Sequence, residues 1–251
     1  MPIAGQLAVF SGVIVLGALA GAALPLRAST THRQVGFLAF AAGMMFGAAF
    51  FHMLPEAFHG GGTRALFMVP AGFVFLFILE RYVLVHVCEE PPDCVEHLNP
   101  VKGLTAFVGL SAHTVFDGVA LGSAIAEGVG LSTFFAIAAH KIPSSLSLAA
   151  LLKAERRSPA KILAFVAAYG LMVPVGALLY FGLDRLIRFA AFAPLALAFS
   201  AGSFLYIAVS DLLPHVNRHG KQERFQGVVG LLLGLGLLLA LSFLLGDHGH
   251  G

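Results

Sequence analysis

Charged residues are scarce in this chain, at 11% of 251 residues, whereas hydrophobic residues make up 58%. An ordinary soluble domain has about 25% charged residues, so this composition excludes a typical soluble fold. Little of the chain lies outside the apolar runs, which leaves no room for a separate soluble domain. No run of basic residues indicates a nucleic-acid partner, and the net charge is only +2. The mean hydropathy of +0.89 predicts an integral membrane protein.

Eight apolar runs are long enough to cross a bilayer, which takes about 20 residues in a helix. They predict spans at residues 3–26, 35–58, 64–87, 102–126, 130–152, 160–183, 190–213 and 226–246. The first run has no basic start and no cleavage pattern before a soluble domain, so we expect it to be retained as a helix. The sequence therefore predicts an all-α protein with a single transmembrane domain over residues 1–251.

Lysine and arginine are unevenly distributed among the connections between spans, and this bias predicts orientation. The odd-numbered connections contain Arg27, Arg33, Lys102, Lys153, Arg156, Arg157, Lys161, Arg218, Lys221 and Arg224. The even-numbered connections contain only Arg64, Arg185 and Arg188. We therefore expect cytoplasmic odd-numbered connections, both termini outside the cytoplasm, and a plasma or inner membrane location.

Cysteine is scarce as well, with Cys88 and Cys94 as the only two. Both lie in a connection predicted to be cytoplasmic, where a disulfide seldom persists. The segment 86–97 also contains histidines and carboxylates, which leaves open a metal-trapping role. Its Cys-x5-Cys spacing matches no recognised zinc motif, so we interpret it as an ordinary loop.

Potential metal-binding side chains lie within or at the ends of four of the predicted spans, although an ionised group costs about 2.5–3.5 kcal/mol at the bilayer centre. These side chains are His52, Glu56 and His59 in the second span, His113 and Asp117 in the fourth, His140 and Lys141 in the fifth, and Asp211 and His215 at the end of the seventh. Spacing of four places His52 with Glu56, His113 with Asp117, and Asp211 with His215 on shared helix faces. Imidazole and carboxylate together suit zinc and are accepted by iron, manganese, cobalt and nickel.

Each of these residues also has a purely structural explanation. A single intramembrane histidine often only hydrogen-bonds neighbouring helices, and residues near a span end are commonly interfacial. Their convergence on four spans favours function. Proline breaks point the same way, since Pro143 loosens the helix beside His140 and irregular backbone is tolerated where it lines a cavity. Glycines at small-residue spacing, Gly118 with Gly122 and Gly230 with Gly234, predict close helix packing instead.

The second and seventh spans share a short pattern, "HMLPEA" and "SDLLPHV", in which Leu-Pro is followed by a potential ligand. The predicted topology runs these two spans in opposite directions. An inverted repeat, with helices 1–3 related to helices 6–8 around helices 4–5, would produce that arrangement.

Four stretches of this sequence resemble the ZIP family, the Zrt- and Irt-like divalent-metal transporters. The stretch "HTVFDGVALGSAI" is similar to the fourth-helix pattern of that family, and "HKIPSSL" to its fifth-helix pattern. The stretches "FFHMLPEA" and "AGSFLYIAVSDLLPHV" resemble its second and seventh helices. Eight spans with both ends outside also match, so the resemblance covers essentially the whole chain.

The resemblance implies transport of a divalent metal, zinc first and iron, manganese or cadmium as alternatives, into the cytoplasm by alternating access. Its implied ligands are His113, Asp117 and His140, with His52 completing the site. Glu56 and His59 would guide the metal in from outside. Asp211 and His215 would receive it on the cytoplasmic side, and a homodimer is the assembly left open.

The chain departs from the family pattern at three positions. Many members have asparagine after the fourth-helix histidine, glutamate after the fifth-helix histidine and a further ligand one turn later. Here those second-site positions are Thr114, Lys141 and Ser144. We therefore expect a single metal site, with the ammonium of Lys141 near the vacant position and paired with Asp117 when no metal is bound.

Two rival interpretations remain at this stage. Three histidines and an aspartate also suit a membrane-embedded zinc hydrolase, for which Glu56 is the only plausible general base. The altered positions, Lys141 and Ser144, equally suit a metal-binding relative that has lost transport.

Overall fold

A computed structural model of the protein describes residues 2–27, 31–84, 102–126, 128–183, 189–214 and 221–246. Within those ranges all regular structure is helical and no strand occurs, which confirms the all-α prediction. Seven of the described helices are long and apolar enough to cross a membrane. The inverted repeat stays a prediction.

The predicted spans correspond to helices as follows. The first, fourth, fifth, sixth and eighth spans are the single helices Ile3–Arg27, Lys102–Ala126, Gly130–Ala154, Pro159–Leu183 and Lys221–Gly246. The second span comprises Thr31–Gly47, a π-helical turn at Ala48–Met53 and Leu54–Leu66. The third comprises Met68–Ile78 and a π-helical turn at Leu79–Leu84, and the seventh comprises Phe189–Tyr206 and a π-helical turn at Ile207–Leu212.

The boundary between the second and third spans differs from the sequence-based one. The helix that holds the second span extends to Leu66, and it is interrupted at Gly62, where φ is 61° and ψ is −159°. A positive φ of this kind is accessible to glycine without a steric penalty. Gly62 therefore marks a kink between two spans that sequence analysis separates only by a short gap.

Two of the π-helical turns directly precede a Leu-Pro pair. The turn Ala48–Met53 leads into Pro55, and the turn Ile207–Leu212 leads into Pro214. Proline has no N–H to donate and its ring crowds the carbonyl four residues earlier, so a wider turn relieves the clash. Sequence analysis attributed irregular backbone to the prolines but did not predict the π-helical form, which often occurs at functional sites.

The spans pack into two units of four. We call the first, fourth, fifth and sixth spans unit A and the second, third, seventh and eighth spans unit B. The most extensive helix contacts pair the second span with the eighth, the fourth with the sixth, the first with the fifth and the third with the seventh, all within a unit. A hydrophobic cluster that includes Ile14, Leu121, Phe134 and Val173 draws on all four spans of unit A.

Charged residues at the end of the fifth span hold unit A together at one face. The Lys153 ammonium donates to the Pro25 carbonyl at 2.6 Å, near the carboxyl end of the first span. The Glu155 carboxylate accepts from the Gly103 N–H at the amino end of the fourth span. A positive charge thus lies at the carboxyl end of the first span and a negative charge at the amino end of the fourth, as the helix dipoles favour. The two contacts fix these two helix ends relative to the carboxyl end of the fifth span.

Close packing at the predicted glycine positions is confirmed. A Cβ atom on Gly118 would lie 2.1 Å from the Val173 carbonyl oxygen of the sixth span, and one on Gly234 would lie 2.2 Å from the Phe40 carbonyl oxygen of the second. Cβ atoms on Gly122 and Gly230 would also come within 3.3 Å of a neighbouring helix. Glycine at these positions permits helix backbones to approach more closely than any larger residue would.

Candidate metal centre

Three predicted ligands from two spans converge at one point. His113, Asp117 and His140 each present a ligand atom, and these atoms all lie within 4.8 Å of one another. The two carboxylate oxygens of Asp117 face different imidazoles, since Oδ1 lies 3.3 Å from His113 Nε2 and Oδ2 lies 3.2 Å from His140 Nε2. The helical spacing of four positions His113 beside Asp117, and the contact between the fourth and fifth spans adds His140. Two imidazoles and a carboxylate form the donor set that zinc prefers.

His113 is the most deeply buried member of the group, with 2% of its surface exposed. Neither of its ring nitrogens makes a hydrogen bond among the described residues, although Nε2 lies 3.3 Å from Asp117 Oδ1. The ring of Phe204, from the seventh span, packs edge-on against it at 4.9 Å between centroids. An unsatisfied buried donor or acceptor costs about 1–3 kcal/mol, and a bound cation would remove that cost.

His52 lies next to this group but is not a full member of it. Its ring centroid is 5.8 Å from that of His140, whereas its Nδ1 lies 3.7 Å from Glu56 Oε2. The side chain is 40% exposed, compared with 12% for His140. His52 comes from unit B and the other three predicted ligands come from unit A, so this group of side chains lies at the contact between the units.

Lys141 is fully buried, and its ammonium is held by two groups. It donates to Thr114 Oγ1 at 2.7 Å and lies 3.7 Å from the centroid of the Tyr169 ring. The ion pairs of the described residues include none between Lys141 and Asp117, and the expected pairing in the absence of metal stays a prediction. The hydroxyl and the aromatic face together satisfy the ammonium without a carboxylate.

We call Thr114 and Tyr169, which surround the Lys141 ammonium, the lysine pocket. Ser144 connects this pocket to the predicted ligand His140 on the same helix. Its hydroxyl donates to the His140 carbonyl at 2.8 Å, and its oxygen lies 2.7 Å from the Tyr169 hydroxyl. The Ser144 and Tyr169 hydroxyls are therefore hydrogen-bonded to each other, which ties the Tyr169 ring to the fifth span. All three altered second-site positions, Thr114, Lys141 and Ser144, therefore belong to one hydrogen-bonded group with Tyr169.

The predicted entrance and exit residues are described to different extents. Glu56 is exposed, at 63% of its side chain, and His59 is exposed with its ring 6.4 Å from that of Phe58. The backbone of Asp211 lies in the π-helical turn Ile207–Leu212. His215 and the segment 86–97, including both cysteines, lie outside the described residues.

Sequence analysis missed two aromatic residues of this centre, Phe204 and Tyr169. Tyr169 is completely buried in the sixth span, which has none of the ionisable residues that drew attention to the other spans. A tyrosine in an otherwise apolar run was the only available signal, because a buried hydroxyl needs a partner. Its position opposite Lys141 depends on the packing of the sixth span against the fourth.

Comparison with known proteins gives a consistent result. A family model described as ZIP zinc transporter matches residues 97–242. The chain is 30% identical to zinc transporter ZIP1 of Takifugu rubripes, over 85% of this chain and 87% of the relative. It is 29% identical to zinc transporter ZIPB of Bordetella bronchiseptica, over 96% of this chain and 84% of the relative. Similarity to zinc transporter ZIP9 of Micropogonias undulatus, at 32% identity, covers 70% of this chain and 62% of that protein.

Proposed function

The chain belongs to the ZIP family of zinc transporters, and on that premise we propose that it carries Zn²⁺ across a membrane through one intramembrane site. The family consists of transporters rather than enzymes, so the zinc hydrolase interpretation is abandoned. Helices long enough to span a bilayer support a multi-pass membrane protein, with residues 1–251 forming one transmembrane domain.

The ligands of the proposed site are His113, Asp117 and His140, and His52 adds a fourth when the units come together. The observation that carries this proposal is the buried His113 ring, which makes no hydrogen bond through either nitrogen among the described residues and lies beside a carboxylate and a second imidazole. Hydrogen bonding between helices, the structural alternative, would leave at least one of these nitrogens satisfied. A dication among these donors replaces its hydration shell with two neutral imidazoles and one negative charge.

A single ion occupies the centre because Lys141 supplies the other positive charge. Its ammonium lies within the group of residues that takes the place of the second-site ligands, and it is held there by Thr114 and Tyr169. Two cations side by side in a water-poor interior repel strongly. The protein should therefore bind one zinc ion, whereas Lys141→Glu should bind two and Lys141→Ala should still bind one, as measured by elemental analysis of the purified proteins.

The path of the metal follows the predicted topology, from the outside to the cytoplasm of a plasma or inner membrane. Exposed Glu56 and His59 attract the cation at the outer mouth, and Asp211 and His215 receive it at the inner one. A cavity lined by Met44, Met45, Ser144, Ser147 and Phe204, among others, adjoins His140 toward the cytoplasmic end of the fifth span.

Alternating access takes place by movement of unit A against unit B. The tight packing within each unit, together with a metal cluster at their contact, supports motion of two rigid groups. The homodimer stays a prediction, which light scattering of the purified protein tests.

Zinc accumulation in sealed vesicles tests the proposal. Vesicles that contain the purified protein should take up more zinc than protein-free vesicles, which are the control. His113→Ala should remove this uptake while leaving membrane insertion unchanged. Inhibition of zinc uptake by added iron, manganese or cadmium ranks the preference of the protein for these metals. No accumulation by the unsubstituted protein would support a metal-binding relative that has lost transport.

A further inference from the structure

Tyr169 and Thr114 surround the Lys141 ammonium from two different spans. The ammonium lies 3.7 Å from the Tyr169 ring centroid, well inside the distance of about 6 Å at which a cation is attracted to an aromatic face. It also donates to Thr114 Oγ1 at 2.7 Å. Lys141, Thr114 and Tyr169 are all 0% exposed, so water does not compete for the ammonium.

Asp117 is the group that the ammonium would otherwise reach. Thr114 and Asp117 are three residues apart on one helix, and side chains at that spacing are neighbours, with Cβ atoms about 5–6 Å apart. Opposite charges attract far more strongly in a buried site than in water. Both Asp117 oxygens face histidine nitrogens instead, at 3.3 Å and 3.2 Å.

We propose that Tyr169 and Thr114 are positioning residues, which hold the Lys141 ammonium away from Asp117 and so keep that carboxylate available to zinc. This inference rests on the proposed function of the His113, Asp117 and His140 site. If the ammonium moved onto Asp117, an entering zinc ion would have to break an ion pair before it gained its only charged ligand. Zinc affinity would fall although no ligand had changed.

The Tyr169 hydroxyl fixes its ring in the position that this role requires. It is hydrogen-bonded to Ser144 Oγ at 2.7 Å, and the Ser144 hydroxyl is hydrogen-bonded to the His140 carbonyl at 2.8 Å. The ring that attracts the ammonium is thus tied to the helix that carries both Lys141 and His140. The sixth span, which supplies no predicted ligand, acquires a role in metal binding through this contact.

A double-mutant cycle on zinc affinity tests the inference. We expect Tyr169→Leu to raise the zinc dissociation constant of the purified protein about tenfold, within the usual range of coupling between sites. Lys141→Met should abolish that effect, so that Lys141→Met with Tyr169→Leu binds zinc as tightly as Lys141→Met alone. Tyr180→Leu, the same change in the same helix but at a ring that packs against Phe181, is the matched control and should bind zinc normally.

Thr114→Val provides a second and nearly isosteric variant in case Tyr169→Leu does not fold. It removes the acceptor of the ammonium, and we expect weaker zinc binding that Lys141→Met again relieves. Equal affinity losses with and without Lys141 would mean that Tyr169 and Thr114 only pack the core, and the inference would be overturned. Normal affinity in both single variants would overturn it too, whereas an unsubstituted protein that binds no zinc would overturn the proposed function itself.

Discussion

The contacts inside the two helical units differ in kind from the contacts between them. Inside unit A, a Cβ atom on Gly176 would lie 2.0 Å from the Val115 carbonyl oxygen, and inside unit B one on Gly202 would lie 1.9 Å from the Val69 carbonyl oxygen. Between the units, the candidate metal centre is bordered by ring contacts such as His113 with Phe204 and His52 with His140. Backbone contact through glycine resists sliding, whereas side-chain rings can separate and rejoin. The proposed metal site therefore lies at the contact between the two units rather than inside either of them.

The largest effect is expected from the centre itself. Asp117→Ala should lower zinc uptake into vesicles by more than about 100-fold, since even indirect partners of metal ligands cost 10–100-fold when removed. The carboxylate serves both imidazoles and provides the only negative charge of the group. Normal membrane insertion, measured by protein recovery in the bilayer fraction, is the control. Uptake near the unsubstituted rate would show that the site is elsewhere.

The next effect concerns the packing within unit A. Gly176→Ala should destabilise the protein by about 1–3 kcal/mol, because the added methyl group meets backbone of the fourth span rather than a flexible side chain. Gly182→Ala is the matched control in the same helix, since a Cβ atom there would have nothing within 4 Å. Thermal unfolding in detergent measures both. Equal unfolding temperatures for the two variants would contradict a rigid unit A.

A smaller effect is expected for the ligand contributed by unit B. His52→Ala should reduce zinc uptake about tenfold, less than the loss of a central ligand, because His52 is 40% exposed and lies apart from the three ligands of unit A. The three ligands of unit A remain in that variant, so the purified protein should still bind one zinc ion. If His52→Ala abolished zinc binding altogether, the site would have to be shared equally by the two units.

The smallest effect is expected at the exposed mouth. Glu56→Gln should slow uptake only about twofold at low ionic strength, because one solvent-exposed charge interacts weakly with an approaching cation. The difference should disappear in high salt, where exposed charges are screened over a few ångströms. A loss that persists in high salt would make Glu56 a ligand rather than an attracting charge.

Sequence analysis succeeded where helical periodicity alone decides the outcome. The neighbouring positions of His113 and Asp117 follow from their spacing on one helix, and the apolar runs define the spans. The resemblance to a family added His140, whose approach to Asp117 from another helix is not readable from either helix alone.

The contacts of the Lys141 ammonium in the lysine pocket could not be predicted from the sequence. Lys141 was expected to pair with Asp117 when no metal is bound, because opposite charges attract strongly in a water-poor interior. A tyrosine ring from the sixth span provides a competing partner instead, and a contact of that kind depends on how two helices are rotated against one another. The π-helical turn around His52 was missed for a similar reason, since a proline predicts an irregularity but not its form.

Anomalous diffraction at the zinc edge, from crystals of the protein grown with zinc, tests the central claim most directly. We predict one intramembrane peak per chain, at about 2.0–2.2 Å from a nitrogen of His113, a nitrogen of His140 and an oxygen of Asp117. A peak away from these three side chains, or two peaks between the fourth and fifth spans, would contradict the single-site account.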